Sequence, residues 1–304
     1  MLRPAVLNLD DALASQTIAR ALPALPLRPW GPKIRMACSF TRFEKFTEPL
    51  ARAVGDLGGS GPMLLLGGSG DFHHVSLALC RRVAEPFNLL VVDKHPDWVG
   101  PLPLLHCGSW LRHAAALERV GRVFHVGGQL DFENGFRHAA PWSMLQRGKI
   151  VVFPAVRPFV RGKWRKVPTK AVRPSPQAPV TRQFMLELLE PWREELSARP
   201  VYISLDKDVM PASQAAVNWD SGVLDLAEVI AILDAFIQAS GNHLAGMDIF
   251  GDYSHCRTQG LLRRLLDWSE HPRQDSDAAA ALAVNTTTNK CLLNRLCDEC
   301  PRKS

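Results

Sequence analysis

Residues 89–97 read LLVVDKHPD, an apolar run that leads directly into carboxylate, ammonium and imidazole side chains. The first four residues have the continuous hydrophobicity of a strand that is buried on both faces, as in a parallel sheet. The same arrangement occurs at residues 201–208, VYISLDKD, and with a glycine-rich turn at residues 63–74, MLLLGGSGDFHH. Because ligands bind at the carboxyl ends of strands in open α/β sheets, these segments predict one polar site at that edge.

The rest of the chain continues the alternation of strand and helix signals. Three more strands are predicted by apolar runs at 122–126, 150–153 and 244–249. Helices are predicted by amphipathic patterns at 75–84, 110–119, 183–196 and 226–239. This rhythm indicates an α/β fold, a single three-layer α/β/α domain with a mainly parallel, doubly wound sheet. We place this domain at residues 1–290 and a cysteine-containing C-terminal tail at 291–304.

The composition is that of an ordinary globular protein, and its charge is concentrated in one segment. With 304 residues, 46% hydrophobic and 22% charged, the chain is neither collagen-like nor a disordered polyelectrolyte. The net charge of +6 comes from residues 154–182, which hold eight Lys and Arg and no acidic residue. Their many prolines predict a long exposed loop that could bind an acidic substrate or another subunit. Since only Phe159 and Trp164 offer stacking surfaces there, we do not expect nucleic acid as a partner.

The ends of the chain and its cysteines favour a cytoplasmic location. No apolar run approaches the roughly 20 residues that a membrane helix needs, and Asp10 and Asp11 interrupt any secretory signal. Seven cysteines, an odd number, are not typical of a disulfide framework. Cys291, Cys297 and Cys300 offer three thiolates without an obvious fourth ligand, so their role, zinc ligands or reduced thiols, stays open.

The polar segments have the composition of a metal site. In an extended segment, Asp93, His95 and Asp97 would face one way, and so would Asp206 and Asp208. Four carboxylates and two imidazoles in one place repel one another unless cations neutralise them. Oxygen and imidazole ligands without thiolate suit Mn²⁺, Mg²⁺ or Zn²⁺. Two such ions sharing carboxylates could activate a water molecule at neutral pH.

These strings and their order resemble the ureohydrolase superfamily, which includes arginase, agmatinase and formiminoglutamase. That family has a Gly-Gly-Asp-His string, an Asp-Ala-His-x-Asp string and a Ser-x-Asp-x-Asp string. Their counterparts here lie at residues 67–73, 93–97 and 204–208. Residues 105–112, LHCGSWLR, resemble the family's His-Gly segment. The resemblance covers about residues 60–255 and implies an arginase-like fold.

The resemblance also implies a set of site residues. The metal ligands would be Asp93, His95, Asp97, Asp206 and Asp208, with Asp93 and Asp206 bridging two ions. The sixth ligand would be His73 or His74, and the apolar residues that follow favour His73. His106 would contact the substrate or shuttle a proton and, with Asp208, would form the catalytic group. The implied cofactor is Mn²⁺, two ions per chain, with Zn²⁺ or another divalent ion as the alternative, and the implied assembly is a homo-oligomer.

Three departures from the family pattern bear on function. Lys94 and Lys207 stand between ligands, where the family has small or apolar residues. Gly251 replaces the carboxylate of the guanidinium pocket, and Asp252, one position later, is the remaining candidate for substrate binding there.

Two functions are therefore open. The first is a hydrolase that cleaves a non-peptide C–N bond of amidino, formimino or amide type with a dinuclear-metal-bound hydroxide. Its partner would be a small-molecule substrate, which would be acidic if the basic loop guides it. The second is a non-catalytic arginase-fold protein that binds a ligand or partner. A lysine ammonium inside the ligand cluster would favour the second function.

Overall fold

The computed structural model describes residues 2–100, 102–128, 139–155, 167, 169–173, 178–255 and 277–297. Its strands, in chain order, are β1 (Arg3–Leu7), β2 (Ala24–Leu25), β3 (Ala37–Cys38), β4 (Met63–Gly68), β5 (Phe87–Val92), β6 (Leu105–His106), β7 (Val120–Val126), β8 (Ile150–Phe153), β9 (Val201–Asp206) and β10 (Leu244–Phe250). Eight of these described strands form one parallel sheet in the order β2-β1-β4-β10-β9-β5-β7-β8. The short strands β3 and β6 pair antiparallel beside it.

Helices cover both faces of the sheet. Within the described residues they are α1 (Thr17–Arg20), α2 (Gly31–Ile34), α3 (Phe40–Asp56), α4 (Val75–Arg82), α5 (Trp110–Ala115), α6 (Trp142–Gln146), α7 (Arg182–Leu189), α8 (Arg193–Ser197), α9 (Leu226–Ala239) and α10 (Ala278–Leu296). One apolar core joins α7, α9 and α10 to the sheet. A second core joins α3, α4 and α5 to the opposite face. The predicted three-layer α/β/α domain with a parallel sheet is confirmed.

Local sequence explains where the elements begin and end. All six predicted strands are present, each with at most two residues more at an end, because the runs are buried on both faces. Helix α9 has the predicted bounds, and Asp225 and Glu228 form a capping box at its start. The helix expected at 183–196 is two helices, since Pro191 lacks the N–H that a continuous α-helix needs and lies in a 3₁₀ turn between α7 and α8. Strands β1 and β2 and helix α3 were not predicted.

The C-terminal helix belongs to the domain. Helix α10 runs through the boundary expected after residue 290, and Leu292, Leu293 and Leu296 are buried in the core. The described residues beyond 290 are therefore not a separate tail. Cys291 is exposed and Cys297 is buried, while Cys300 lies outside the described residues.

Most of the basic segment 154–182 also lies outside the described residues. In its described part, the Arg173 guanidinium donates to both oxygens of Glu228, at 2.9 and 2.5 Å. At least this positive charge is paired within the domain. No helix of the described chain has the length and apolar character needed to cross a membrane.

The strand order brings the three polar segments together. The carboxyl ends of β4, β9 and β5 lie at one edge of the sheet, with only β10 between β4 and β9. Adjacent strands are about 4.8 Å apart, so side chains that follow these strands can meet above that edge.

Candidate metal centre

The first group of converging side chains surrounds His73. Its Nδ1 atom lies 2.9 Å from Asp97 Oδ2, 3.2 Å from Asp93 Oδ2 and 3.6 Å from Asp206 Oδ2. These four residues are between 1% and 5% exposed, so their charges are removed from bulk water. One imidazole and three carboxylates thus share a buried space above β4, β5 and β9.

The second group surrounds His95 and shares Asp93 with the first. His95 Nδ1 lies 2.7 Å from Asp208 Oδ2 and 4.0 Å from Asp93 Oδ1. Ligand atoms of His73, Asp93 and Asp206 all lie within 4.8 Å of one another, and so do those of Asp93, His95 and Asp208. Because Asp93 belongs to both sets, the residues present fit two adjacent divalent ions with oxygen and imidazole ligands.

Tight turns, rather than extended strands, position these carboxylates. Asp93 Oδ1 accepts the His95 N–H at 2.6 Å, and Asp206 Oδ1 accepts the Asp208 N–H at 3.1 Å. Asp97 has a left-handed φ of +48°, which aspartate adopts more readily than most residues. The expected extended alternation over residues 93–97 is therefore wrong, although the predicted residues do converge. Side-chain hydrogen bonds to the backbone turn the chain immediately after each strand.

Neighbouring polar groups hold His73 and Asp97 in place. His73 Nε2 lies 2.9 Å from Ser204 Oγ, and the Ser204 hydroxyl donates to Asp248 Oδ1 at 2.6 Å. Ser204 then accepts the Nε2 proton, which leaves Nδ1 as the lone-pair atom of the neutral ring. Trp110 Nε1 donates to Asp97 Oδ2 at 2.7 Å. Metal-binding histidines are usually oriented in this way through their second nitrogen.

His95 has an equivalent partner that the sequence did not reveal. Its Nε2 atom lies 2.9 Å from Asp220 Oδ1, in a loop 125 residues further along the chain. Lys94 Nζ donates to Asp220 Oδ2 and, at 2.9 Å, to the Ser221 carbonyl. Residues 218–222, NWDSG, have the composition of a polar turn, which could have indicated this loop from the sequence.

Burial and mutual repulsion favour protons in the cluster when no cation is bound. Burial and the Asp97 charge raise the pKa of Asp93 to about 6. Burial and the Asp208 charge raise the pKa of Asp206 to about 7, and burial and the Asp93 charge raise that of Asp208 to about 6. Burial opposes a charge on His73 as well, but the adjacent Asp93 and Asp97 outweigh it and raise the pKa of that imidazole. Divalent ions would replace these protons, since they supply the positive charge that the cluster lacks.

His74, the alternative sixth ligand, does not join the cluster. Its ring centroid lies 6.2 Å from that of Phe43, and both of its ring nitrogens are buried. Burial, with the positive charges of His106 and His73, lowers the pKa of His74 to about 3. His74 is the N-cap residue of α4, and it belongs to neither of the two ligand groups found among the described residues.

The predicted substrate contact of Asp252 is not supported. Asp252 is 1% exposed, and its carboxylate is 2.9 Å from Lys207 Nζ. Gln16 Nε2 donates to it at 2.7 Å and Asn289 Nδ2 at 3.1 Å. These donors occupy the carboxylate, so it offers no surface to a guanidinium substrate.

Gly251 is the residue that fits beside Asp206. Its φ is +93°, and a Cβ atom there would lie 2.4 Å from Asp206 Oδ1. Any larger residue at this position would displace a candidate ligand. The position of the expected pocket carboxylate is therefore closed to side chains.

His106 and the candidate ligand Asp97 both lie next to Gly108. Strand pairing with Ala37 fixes its backbone, and its Nδ1 accepts the Gly108 N–H at 3.0 Å. A Cβ atom on Gly108 would be 3.3 Å from His106 Nδ1 and 3.8 Å from Asp97 Oδ1, so both side chains adjoin this glycine. A cavity of about 350 Å³ lies elsewhere, lined by Arg3, Met63 and Tyr202, and contains none of the candidate ligands.

One known protein family matches most of this chain. The sequence model of the arginase family matches residues 33–251. An uncharacterized protein of Thermotoga maritima is 25% identical over 166 residues, which are 55% of this chain and 49% of that protein. The chain thus matches about half the length of this relative.

Solved structures show the same fold at low identity. Bacillus subtilis arginase superposes with a TM-score of 0.53 and 13% identity, over 96% of this chain and 98% of that chain. Trypanosoma cruzi formiminoglutamase, solved with Mn²⁺, superposes with a TM-score of 0.50 and 16% identity, over 83% and 72% of the respective chains. The family match spans the strands and turns that carry the candidate ligands, so the chain belongs to the arginase family.

Proposed function

We propose that this protein is a metal-dependent hydrolase that cleaves a non-peptide C–N bond of a small molecule. The observation that carries the proposal is the pair of ligand groups that share Asp93. They occur in a fold and family whose relatives include an arginase and a Mn²⁺-containing formiminoglutamase. Bound divalent ions would supply Lewis acidity and activate water at neutral pH.

The six candidate ligands would be shared between two metal ions. Asp93 and Asp206 would contribute to both ions, because Asp93 belongs to both ligand groups and Asp206 contacts His73 Nδ1 and the Asp208 N–H. Asp97 and His73 would complete the buried ion, and Asp208 and His95 the outer one. His95 is 34% exposed, so substrate would enter from its side of the cluster.

We assign proton transfer to His106. Because its Nδ1 accepts the Gly108 N–H, the neutral ring carries its proton on Nε2. Once this ring has taken up a second proton, the imidazolium could give one to the leaving amine and return to the neutral form, and such a transfer typically contributes about 10²- to 10⁴-fold to a rate.

The positions of the two lysines favour the enzyme over a non-catalytic relative. Within the described residues, the Lys94 ammonium contacts Asp220 and Ser221, and the Lys207 ammonium contacts Asp252 and Asn285. Neither replaces a metal ion among the six candidate ligands. We therefore do not propose the non-catalytic function.

The surroundings of Gly251 suggest a substrate class. No side chain fits there, and Asp252 is paired with Lys207, so neither position offers a counter-charge to a guanidinium. We propose a formimino or amide substrate ahead of a guanidino one.

The test is metal analysis of the purified protein combined with a screen for ammonia and urea release from guanidino, formimino and amide compounds. We expect about two Mn²⁺ per chain, lost in Asp93→Asn, and turnover that His106→Gln lowers without changing the metal content. Protein that binds neither Mn²⁺ nor Zn²⁺, and gains no thermal stability from either, would contradict the proposal.

A further inference from the structure

Lys94 and Asp220 lie beside the candidate metal centre and are not among its ligands. Asp220 divides its two carboxylate oxygens between two partners, His95 Nε2 on Oδ1 and Lys94 Nζ on Oδ2. Lys94 is in turn fixed at both ends, since its backbone N–H donates to Asp208 Oδ1 at 3.1 Å and its ammonium to the Ser221 carbonyl at 2.9 Å.

The loop that carries Asp220 is tied to the same turn. The Gly222 N–H donates to the carbonyl oxygens of Asp208 and Met210, at 2.5 and 3.0 Å. These hydrogen bonds join the backbone two residues after Asp220 to the turn that contains Asp208. The ligand turn and the Asp220 loop act as one unit around His95.

The charges of the pair have complementary effects on metal binding. An ammonium that is nine-tenths buried beside the ligands would repel a divalent cation if it had no counter-ion. A carboxylate that accepts the second nitrogen of a ligating histidine orients the ring and makes it a stronger ligand. Asp220 does both, because one oxygen neutralises Lys94 while the other holds His95.

We propose that Lys94 and Asp220 form a charge-matched pair that positions His95 for metal binding. Both are positioning residues, and the inference rests on the proposed function, since it requires a metal at the His95 site. Lys94 departs from the family pattern, but its positive charge does not prevent metal binding because the Asp220 carboxylate neutralises it.

The test is Mn²⁺ affinity, measured by calorimetry on Asp220→Asn, Lys94→Met and the double variant. Asp220→Asn leaves the ammonium unneutralised and should weaken affinity about 10- to 100-fold. The double variant removes that ammonium but still lacks the carboxylate on His95, so it should bind Mn²⁺ more tightly than Asp220→Asn and less tightly than the wild type. Asp234→Asn, which breaks the distant ion pair with Arg295, is the matched control and should bind Mn²⁺ as the wild type does.

Stability in EDTA separates positioning from a purely structural role. A pair that only fastened the loop would change the free energy of unfolding in EDTA and leave Mn²⁺ affinity unaltered. Asp220→Asn with wild-type affinity, or a double variant as weak as Asp220→Asn, would overturn the inference alone. A wild-type protein that binds no metal would overturn the proposed function and this inference with it.

Discussion

Replacing Lys207 by methionine should destabilise the metal-free protein by about 3 to 5 kcal/mol. Lys207 and Asp252 both have side chains that are 0% exposed, with Nζ and Oδ1 2.9 Å apart. The substitution keeps most of the buried aliphatic volume and removes the ammonium. Among the described residues, the Gln16 and Asn289 amides then remain as hydrogen-bond donors to the buried Asp252 carboxylate.

The magnitude follows from the geometry of the pair. At 2.9 Å and an effective dielectric constant of about 20, the Coulomb attraction is about 6 kcal/mol. Desolvation of the two ions offsets most of this in the wild type, but removing one partner leaves the other charge uncompensated. At about 2 to 4 °C per kcal/mol for a large domain, the thermal midpoint should fall by roughly 6 to 20 °C.

Urea unfolding in EDTA, followed by tryptophan fluorescence, measures the effect without a contribution from metal. Lys45→Met, at an exposed lysine of α3, is the matched control and should change little. Adding Asp252→Asn to Lys207→Met removes the orphaned charge and should restore much of the stability. A loss below about 1 kcal/mol for Lys207→Met, or a double variant no more stable than the single one, would show that the ion pair does not compensate the buried Asp252 charge.

Three further predictions concern the cluster itself. His73→Ala should abolish binding of one Mn²⁺ ion in a metal-content assay, whereas His74→Ala should retain both ions; equal losses would contradict the assignment of His73. The pKa of Asp206 is raised to about 7 and that of Asp208 to about 6. Protons on these carboxylates therefore stabilise the metal-free folded protein at acid pH, and this stabilisation is lost as the pH rises through 6 to 7. The thermal-midpoint gap between Mn²⁺-loaded and EDTA-treated protein should therefore widen from pH 5 to pH 8, and a constant gap would count against it. Gly251→Ala should weaken Mn²⁺ binding and stability together, because its Cβ would meet Asp206, while the helical control Gly55→Ala, with open space around it, should do neither.

Much of the fold could be predicted because its strands are continuous apolar runs. Four or more consecutive buried residues in β5, β7 and β9 require cover on both faces, and the apolar runs that predict them are visible without any tertiary information. Strand β1 escaped prediction because it is short and contains Arg3 and Pro4. Helix α3 carries Pro49, which obscures a helical pattern that its buried Phe43 and Phe46 nonetheless follow.

The candidate ligands could also be predicted from the sequence, but the residues that form hydrogen bonds with them could not. Asp93, His95, Asp206 and Asp208 follow strands directly, so strand order alone brings them together. Asp220 meets His95 from 125 residues away, and nothing in either local sequence specifies that contact.

The layered α/β architecture, and the edge of the sheet at which carboxylates and imidazoles gather, follow from local sequence patterns, because apolar runs and the residues that follow them can be identified one segment at a time. The choice of histidine at the cluster and the partners of the lysine charges depend on contacts between segments that are distant in the chain. His73 and His74 are adjacent and chemically identical, so the packing of α4 against Phe43 makes the distinction. Lys94 and Lys207 are each neutralised by an aspartate on a distant segment, and a buried charge is tolerated only where such a partner is brought within contact.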